Sequence, residues 1–184
     1  MKKMLKGFSN LYFVPLAENT AQAYSVEATF TRIYGAQTCT AKENRNTLSI
    51  MADDGMYYEE SEFKNGELEI TVAGMELAQM AALSGATLEA ESGQITQGEG
   101  DIAPEIALCF SALLAGGEGH RVFRYYACRL LHIEGTSLET RGKSDEPQAV
   151  TLHFAYQGRK SDGKYRTVVD VTSENLNATL QAVT

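Results

Sequence analysis

The chain has 184 residues, 43% hydrophobic and 22% charged, enough for one domain with a proper core or at most two very small ones. With 16 Gly, 3 Pro and no Trp, collagen-like and Pro-rich disordered classes are excluded. A formal net charge of −8 argues against a protein that grips nucleic-acid phosphates.

The basic start, Met1 to Gly7, has no apolar stretch behind it and does not read as a signal peptide. No run approaches 18 uninterrupted apolar residues, so no membrane span is expected. Gly7 to Leu16 is rich in β-forming types (Phe8, Leu11, Tyr12, Phe13, Val14) and predicts an extended arm or edge strand. Between Tyr24 and Tyr34, Val26, Ala28 and Phe30 alternate with polar residues, the pattern of a half-buried strand. Residues 36–46 are polar and aperiodic and suit a long exposed loop or hairpin tip. Thr47 to Met51 predicts a short strand stopped by the turn tripeptide Asp53-Asp54-Gly55.

Asn65-Gly66, between Tyr57–Lys64 and Glu67–Val72, predicts a hairpin with a two-residue type I′ turn. Its register would set Lys64 against Glu67, Glu62 against Glu69 and Phe63 against Leu68. One face would be apolar (Phe63, Leu68, Ile70, Val72), and the other would carry Glu60, Glu62, Glu67 and Glu69. Like charges facing each other cost a ribbon a few tenths of a kcal/mol, so a role other than stability is implied for them.

Met75 to Leu83 predicts a helix of about ten residues stopped by Gly85, apolar on most sides and so buried. Residues 91–105 predict a long loop. Further on, Ile106–Leu113, Arg121–Ile133, Val150–Tyr156 and Tyr165–Val171 read as strands. They are joined in part by a flexible loop at Ala115 to Gly119 and a turn at Ser161-Asp162-Gly163. Ser173 is placed to cap a last short helix with Leu176, Leu180 and Val183 on one side. The expected fold is mainly β (α+β): one β-sandwich-like domain over 1–184 of about eight strands, with one central helix and a short C-terminal helix.

Charge is unevenly spread. Residues 53–105 hold thirteen acids and one base, Lys64, while the segments before and after carry local charges of +3 and +1. The three cysteines, Cys39, Cys109 and Cys128, are odd in number and lack C-x-x-C spacing, as buried free thiols of an intracellular protein do. His120, His132 and His153 lie in different elements without ligand spacing. Asp53-Asp54 could bind a divalent ion but reads better as a turn. No nucleophile elbow, P-loop or dinucleotide fingerprint is present. No catalytic, metal or cofactor residues are therefore assigned, and no enzyme activity is expected. The N-terminal arm (about 1–20) and the 36–46 loop are expected to meet neighbouring copies, with Leu11, Tyr12, Phe13, Thr38, Thr40 and Lys42 as contact residues.

The chain resembles the major tail proteins (tail tube proteins) of long-tailed bacteriophages of Gram-positive hosts. The likeness lies in Gly7-Phe8-Ser9-Asn10-Leu11-Tyr12-Phe13, in Met51-Ala52-Asp53-Asp54-Gly55, and in the run from Glu67 to Gly85. It continues in Asp101-Ile102-Ala103-Pro104-Glu105-Ile106-Ala107-Leu108 and in Gly163-Lys164-Tyr165-Arg166. The resemblance implies a β-sandwich flanked by a helix, hexameric rings that stack into a tail tube, and location in the virion tail after assembly in the host cytoplasm. It implies a tape-measure protein, a tail terminator and baseplate hub proteins as partners, with DNA passing through the tube unbound and no membrane. On that footing Glu60, Glu62, Glu67 and Glu69 are expected to face the lumen, where acids repel a duplex carrying one charge per about 1.7 Å. A tail terminator, the tube of an injection device and a β-barrel for a small apolar ligand are the alternative readings.

Overall fold

A computed structural model describes residues 4–117, 119–134 and 149–183. The basic start at 1–3 and Glu118 of the predicted flexible loop lie outside the described residues. The chain opens with β1 (Leu5–Asn19), followed by two short strands, β2 (Tyr24–Val26) and β3 (Thr31–Ile33). Then come two long strands, β4 (Ala36–Ala52) and β5 (Gly55–Val72), and the helix α1 (Leu77–Ser84). A small ribbon, β6 (Thr87–Leu88) with β7 (Ile95–Thr96), precedes β8 (Glu105–Leu114), β9 (His120–Ile133), β10 (Val150–Gln157) and β11 (Arg166–Val171). A single 3-10 turn at Ser173–Asn175 leads into α2 (Leu176–Gln181). The fold is mainly β, as expected, with eleven strands among the described residues rather than about eight.

Apart from β6 and β7, the strands form one curled antiparallel sheet in the order β2-β1-β8-β9-β10-β5-β4, with β3 on β1 and β11 on β9. Strand β9 is shared: its first half pairs with β11 and its second half with β10. The sheet thereby folds over itself, and its inner face encloses Leu11, Phe13, Ile70, Leu108, Tyr125 and Phe154, among others. A second, smaller core forms on the opposite face of β1, β8 and β9, where α2 and the β2 region cover Val14, Ala107, Cys109 and Val122. This double cover explains why β8 reads as a nearly continuous apolar run. Ile106, Leu108 and Phe110 point into one core, and Ala107 and Cys109 into the other. Leu176, Leu180 and Val183 are buried in the second core as their spacing predicted.

Three expectations are overturned. The first concerns the N-terminal arm, which is an interior strand lying between β8 and β3, with Leu11 and Phe13 each 1% exposed. The second concerns 36–46, which is the first half of β4. Its polar composition reflects an edge strand with one face in solvent, where charged side chains are common.

The third concerns Asn65-Gly66, which is no turn: β5 runs straight through it. Gly66 does not use positive φ. A Cβ there would lie 2.1 Å from Cζ of Tyr156, so the glycine makes room for a buried ring of β10. The true hairpin turn is at Asp53-Asp54. Both residues take left-handed conformations (φ 51° and 60°), as a type I′ turn requires. The predicted facing of Lys64 with Glu67, Glu62 with Glu69 and Phe63 with Leu68 therefore does not occur. These residues follow one another along a single strand.

The strand predicted from Tyr24 to Tyr34 is broken into β2 and β3. The long loop at 91–105 contains β7. The helix α1 ends at Gly85 as expected (φ 76°, its N–H bonded to the Ala81 carbonyl), and Gln79 Nε2 donates to the Arg32 carbonyl at 2.8 Å. Only one side of α1 is buried, since Leu77 stays exposed.

Because the Tyr156 ring occupies the space a side chain at 66 would need, Gly66→Ala is expected to destabilise the chain by about 1–3 kcal/mol. Urea denaturation measures it. A loss well under 0.5 kcal/mol would show that the ring moves aside at no cost.

Candidate interaction surface

The register of β5 decides which side chains leave the body. Between Asn44–Asn65 and Arg45–Phe63 the pairing skips Lys64, a β-bulge. Beyond it, Leu68, Ile70 and Val72 face the core at even positions. Before it the odd residue Phe63 does so, stacking on Tyr165 with ring centroids 3.9 Å apart and lying near Tyr156. The bulge shifts the pleat by one, so Glu60 and Glu62 stay on the same outer side of the strand as Glu67 and Glu69. All four are exposed.

Their neighbours differ from those expected. Glu67 faces Lys42 of β4 and Ala155 of β10, and Glu69 faces Thr40 and His153. Farther along, Glu62 faces Asn46 and Glu60 faces Leu48. The Tyr58 hydroxyl donates to Glu60 at 2.7 Å. The like-charge opposition inferred from a hairpin at 65–66 is thus absent. His153 also stacks on His132 of β9, with centroids 4.2 Å apart, and its Nε2 lies 3.8 Å from Glu134. Lys42, Glu67, Glu69 and the two histidines line an open groove of about 350 Å³ on this outer face.

Strand β10 accompanies β5 only from Val72 to Gly66. From Arg45 to the turn and back to Phe63, β4 and β5 pair only with each other among the described residues. They form a ribbon that reaches roughly 25–30 Å at ~3.4 Å per residue. Two strands alone are marginally stable in water. Moreover, the ribbon's end carries apolar side chains in solvent: Met51 is 66% exposed, Met56 60% and Tyr57 77%, with Leu48, Ile50 and Tyr58 also exposed. Covering one side chain of that kind is worth roughly 1.5–3 kcal/mol. Strand β4 also leaves its outer edge without a partner strand among the described residues.

The sequence reading missed these ribbon residues. Their signal was present in the two β-rich runs directly flanking Asp53-Asp54-Gly55, the pattern of a tight hairpin. Of the six expected contact residues, Leu11 and Phe13 are buried in the core and cannot meet another copy in this fold. Tyr12 is half-buried against the second core. Thr38 and Thr40 are exposed on β4, as is Lys42.

Burial pushes the thiols of Cys39 and Cys109 up to about 12 and that of Cys128 well above its ordinary value. Among the described residues no group of three or more His, Cys, Asp or Glu is arranged to hold a metal ion, and no helix is long and apolar enough to cross a membrane.

No family model matches the chain, and no curated protein matches it. Among solved structures, the chain is similar to the anti-feeding prophage cap, the AFP tube terminating cap. The TM-score is 0.47 and the sequence identity 8%, over 88% of this chain and 89% of that one.

The ribbon contributes no side chain to either core apart from Phe63 at its root. Replacing residues 47–61 by a two-residue turn is therefore expected to leave cooperative unfolding intact, with stability changed by no more than about 0.5 kcal/mol. Thermal melts followed by circular dichroism test this. Loss of a cooperative transition would mean that the ribbon belongs to the folding unit.

Proposed function

We propose that this chain is a structural protein that assembles with copies of itself into rings, stacked as a tail tube of the kind its sequence resembles. The observation that carries the reading is the β4–β5 ribbon. It projects beyond the sheet, has no strand partner on either edge among the described residues, and ends in exposed Met51, Met56 and Tyr57. A two-stranded ribbon of this length gains a reason to exist when a second surface covers it. Contacts made between different patches of identical chains run head to tail and close into a ring when the rotation permits. In this reading the chain's work is geometric and no bond is made or broken.

The outer face of β5 supplies the second element. In the proposed ring Glu60, Glu62, Glu67 and Glu69 turn toward the conduit. A six-fold ring would repeat each carboxylate six times and set up a field that keeps a passing duplex from adhering. Thr38, Thr40 and Lys42, on the free edge of β4, are proposed to meet the next subunit in place of the buried Leu11 and Phe13. A tape-measure protein, a terminator and hub proteins would be the further partners of such a tube, within the virion tail.

Negative-stain microscopy of concentrated protein tests the assembly. Rings or tubes of uniform diameter are expected. A monodisperse monomer at every concentration, by light scattering, would overturn the reading. The conduit assignment has its own test. Glu62→Lys with Glu69→Lys should still assemble, but the particles should retain double-stranded DNA at low salt and release it as salt rises, where wild-type particles retain none. Equal retention by both would place this face away from the conduit.

A further inference from the structure

We infer that the ribbon tip of one copy docks in an apolar cleft of the next, at the open side of the curled sheet. The inference rests on the self-assembly reading and names the surface that receives the ribbon. The cleft, of about 300 Å³, lies between the free edge strand β4 and the strands β1, β8, β9 and β11. Its walls include Leu5, Phe8, Cys39, Ala41, Phe110 and Phe123. The aromatic walls are ordered among themselves. Phe8 meets Phe110 edge-on at 5.2 Å, and Phe110 stacks with Phe123 at 5.3 Å.

Three features make the tip the fitting occupant. The first is chemical likeness: the exposed Met51, Met56 and Tyr57 are flexible or aromatic side chains, which suit a cleft with phenylalanine walls. The second is charge. The tip carries Asp53, Asp54 and, just behind them, Glu59, and residues 46–62 hold no Lys or Arg. The cleft is bordered by Arg166, whose guanidinium lies 3.4 Å from Glu43 and is about a third exposed. An acidic tip entering beside a guanidinium is steered to it, and a second acidic tip is repelled. The third is topology. The cleft opens beside β4, the strand whose outer edge is free, so an arriving ribbon meets apolar walls and an unpaired strand edge together. Tip and cleft are different patches, which makes the contact head-to-tail.

The test replaces Tyr57 by the photo-crosslinker p-benzoylphenylalanine in the full-length chain. Assembled particles are irradiated and the linked peptides mapped by mass spectrometry. Links to the segments 5–8, 39–41, 110–112 or 123–125 are expected, absent from dilute monomer. In parallel, Ala41→Trp, which fills the cleft from an exposed position, should keep the wild-type melting curve and raise the concentration needed for assembly at least about tenfold. Particles that form with links only elsewhere, or with Ala41→Trp assembling normally, would overturn the docking while leaving self-assembly standing. A monomer whose cleft holds a copurified apolar small molecule would overturn it too. Failure of the wild-type chain to assemble at any concentration would overturn both readings.

Discussion

Strand β5 is eighteen residues long and finds an inner neighbour for only its last seven. Everything of functional interest follows from that mismatch. Over Gly66 to Val72 the strand is part of the body, its alternate side chains sealed into the core and its ladder shared with β4 and β10. Over the remainder it has β4 alone among the described residues. What ends the supported part is a ring: Tyr156, near the end of β10, lies across Gly66, and its hydroxyl donates to the Lys42 carbonyl at 3.2 Å. At the same level Lys64 is bulged out, Asn44 donates to Asn65 at 2.9 Å, and Phe63 stacks on Tyr165. The root of the ribbon is thus firmly held, and its far end leaves apolar side chains in solvent.

The bulge has a consequence for electrostatics as well. Without it, Phe63 would point outward and Glu62 inward, placing an unpaired carboxylate over the aromatic rings at a cost of several kcal/mol. With it, Glu60, Glu62, Glu67 and Glu69 keep to one side of β5 through the change from body to ribbon. Four of the thirteen acids in the middle third of the sequence are in this way laid out along the outer side of one strand.

Much of the architecture was legible in the sequence where burial is two-sided or periodic. Strands β8 to β11, the stop of α1 at Gly85 and the apolar side of α2 all came from patterns that tertiary contacts reinforce. The errors share one cause. Asn65-Gly66 has the composition of a turn, but its glycine serves close approach of a ring from a strand ninety residues later, which no local pattern encodes. The first half of β4 looked like a loop because an edge strand with a solvated face needs few apolar residues. The β1 region looked like an arm because its partner strand, β8, lies a hundred residues on. As for the candidate surface, the shared side of Glu60, Glu62, Glu67 and Glu69 was read correctly from a wrong hairpin: parity along one bulged strand gives the same grouping. The apolar tip was missed, since its meaning lies in the absence of neighbours.

Hydrogen–deuterium exchange across a concentration series bears most directly on the claim that the ribbon awaits another copy. Amides of residues 46–62 should exchange fast in dilute protein, while those of β8 and β9 stay protected, and should slow by orders of magnitude once particles form. Ribbon amides that are already protected in the dilute monomer, or that exchange equally fast in the assembled state, would contradict the account.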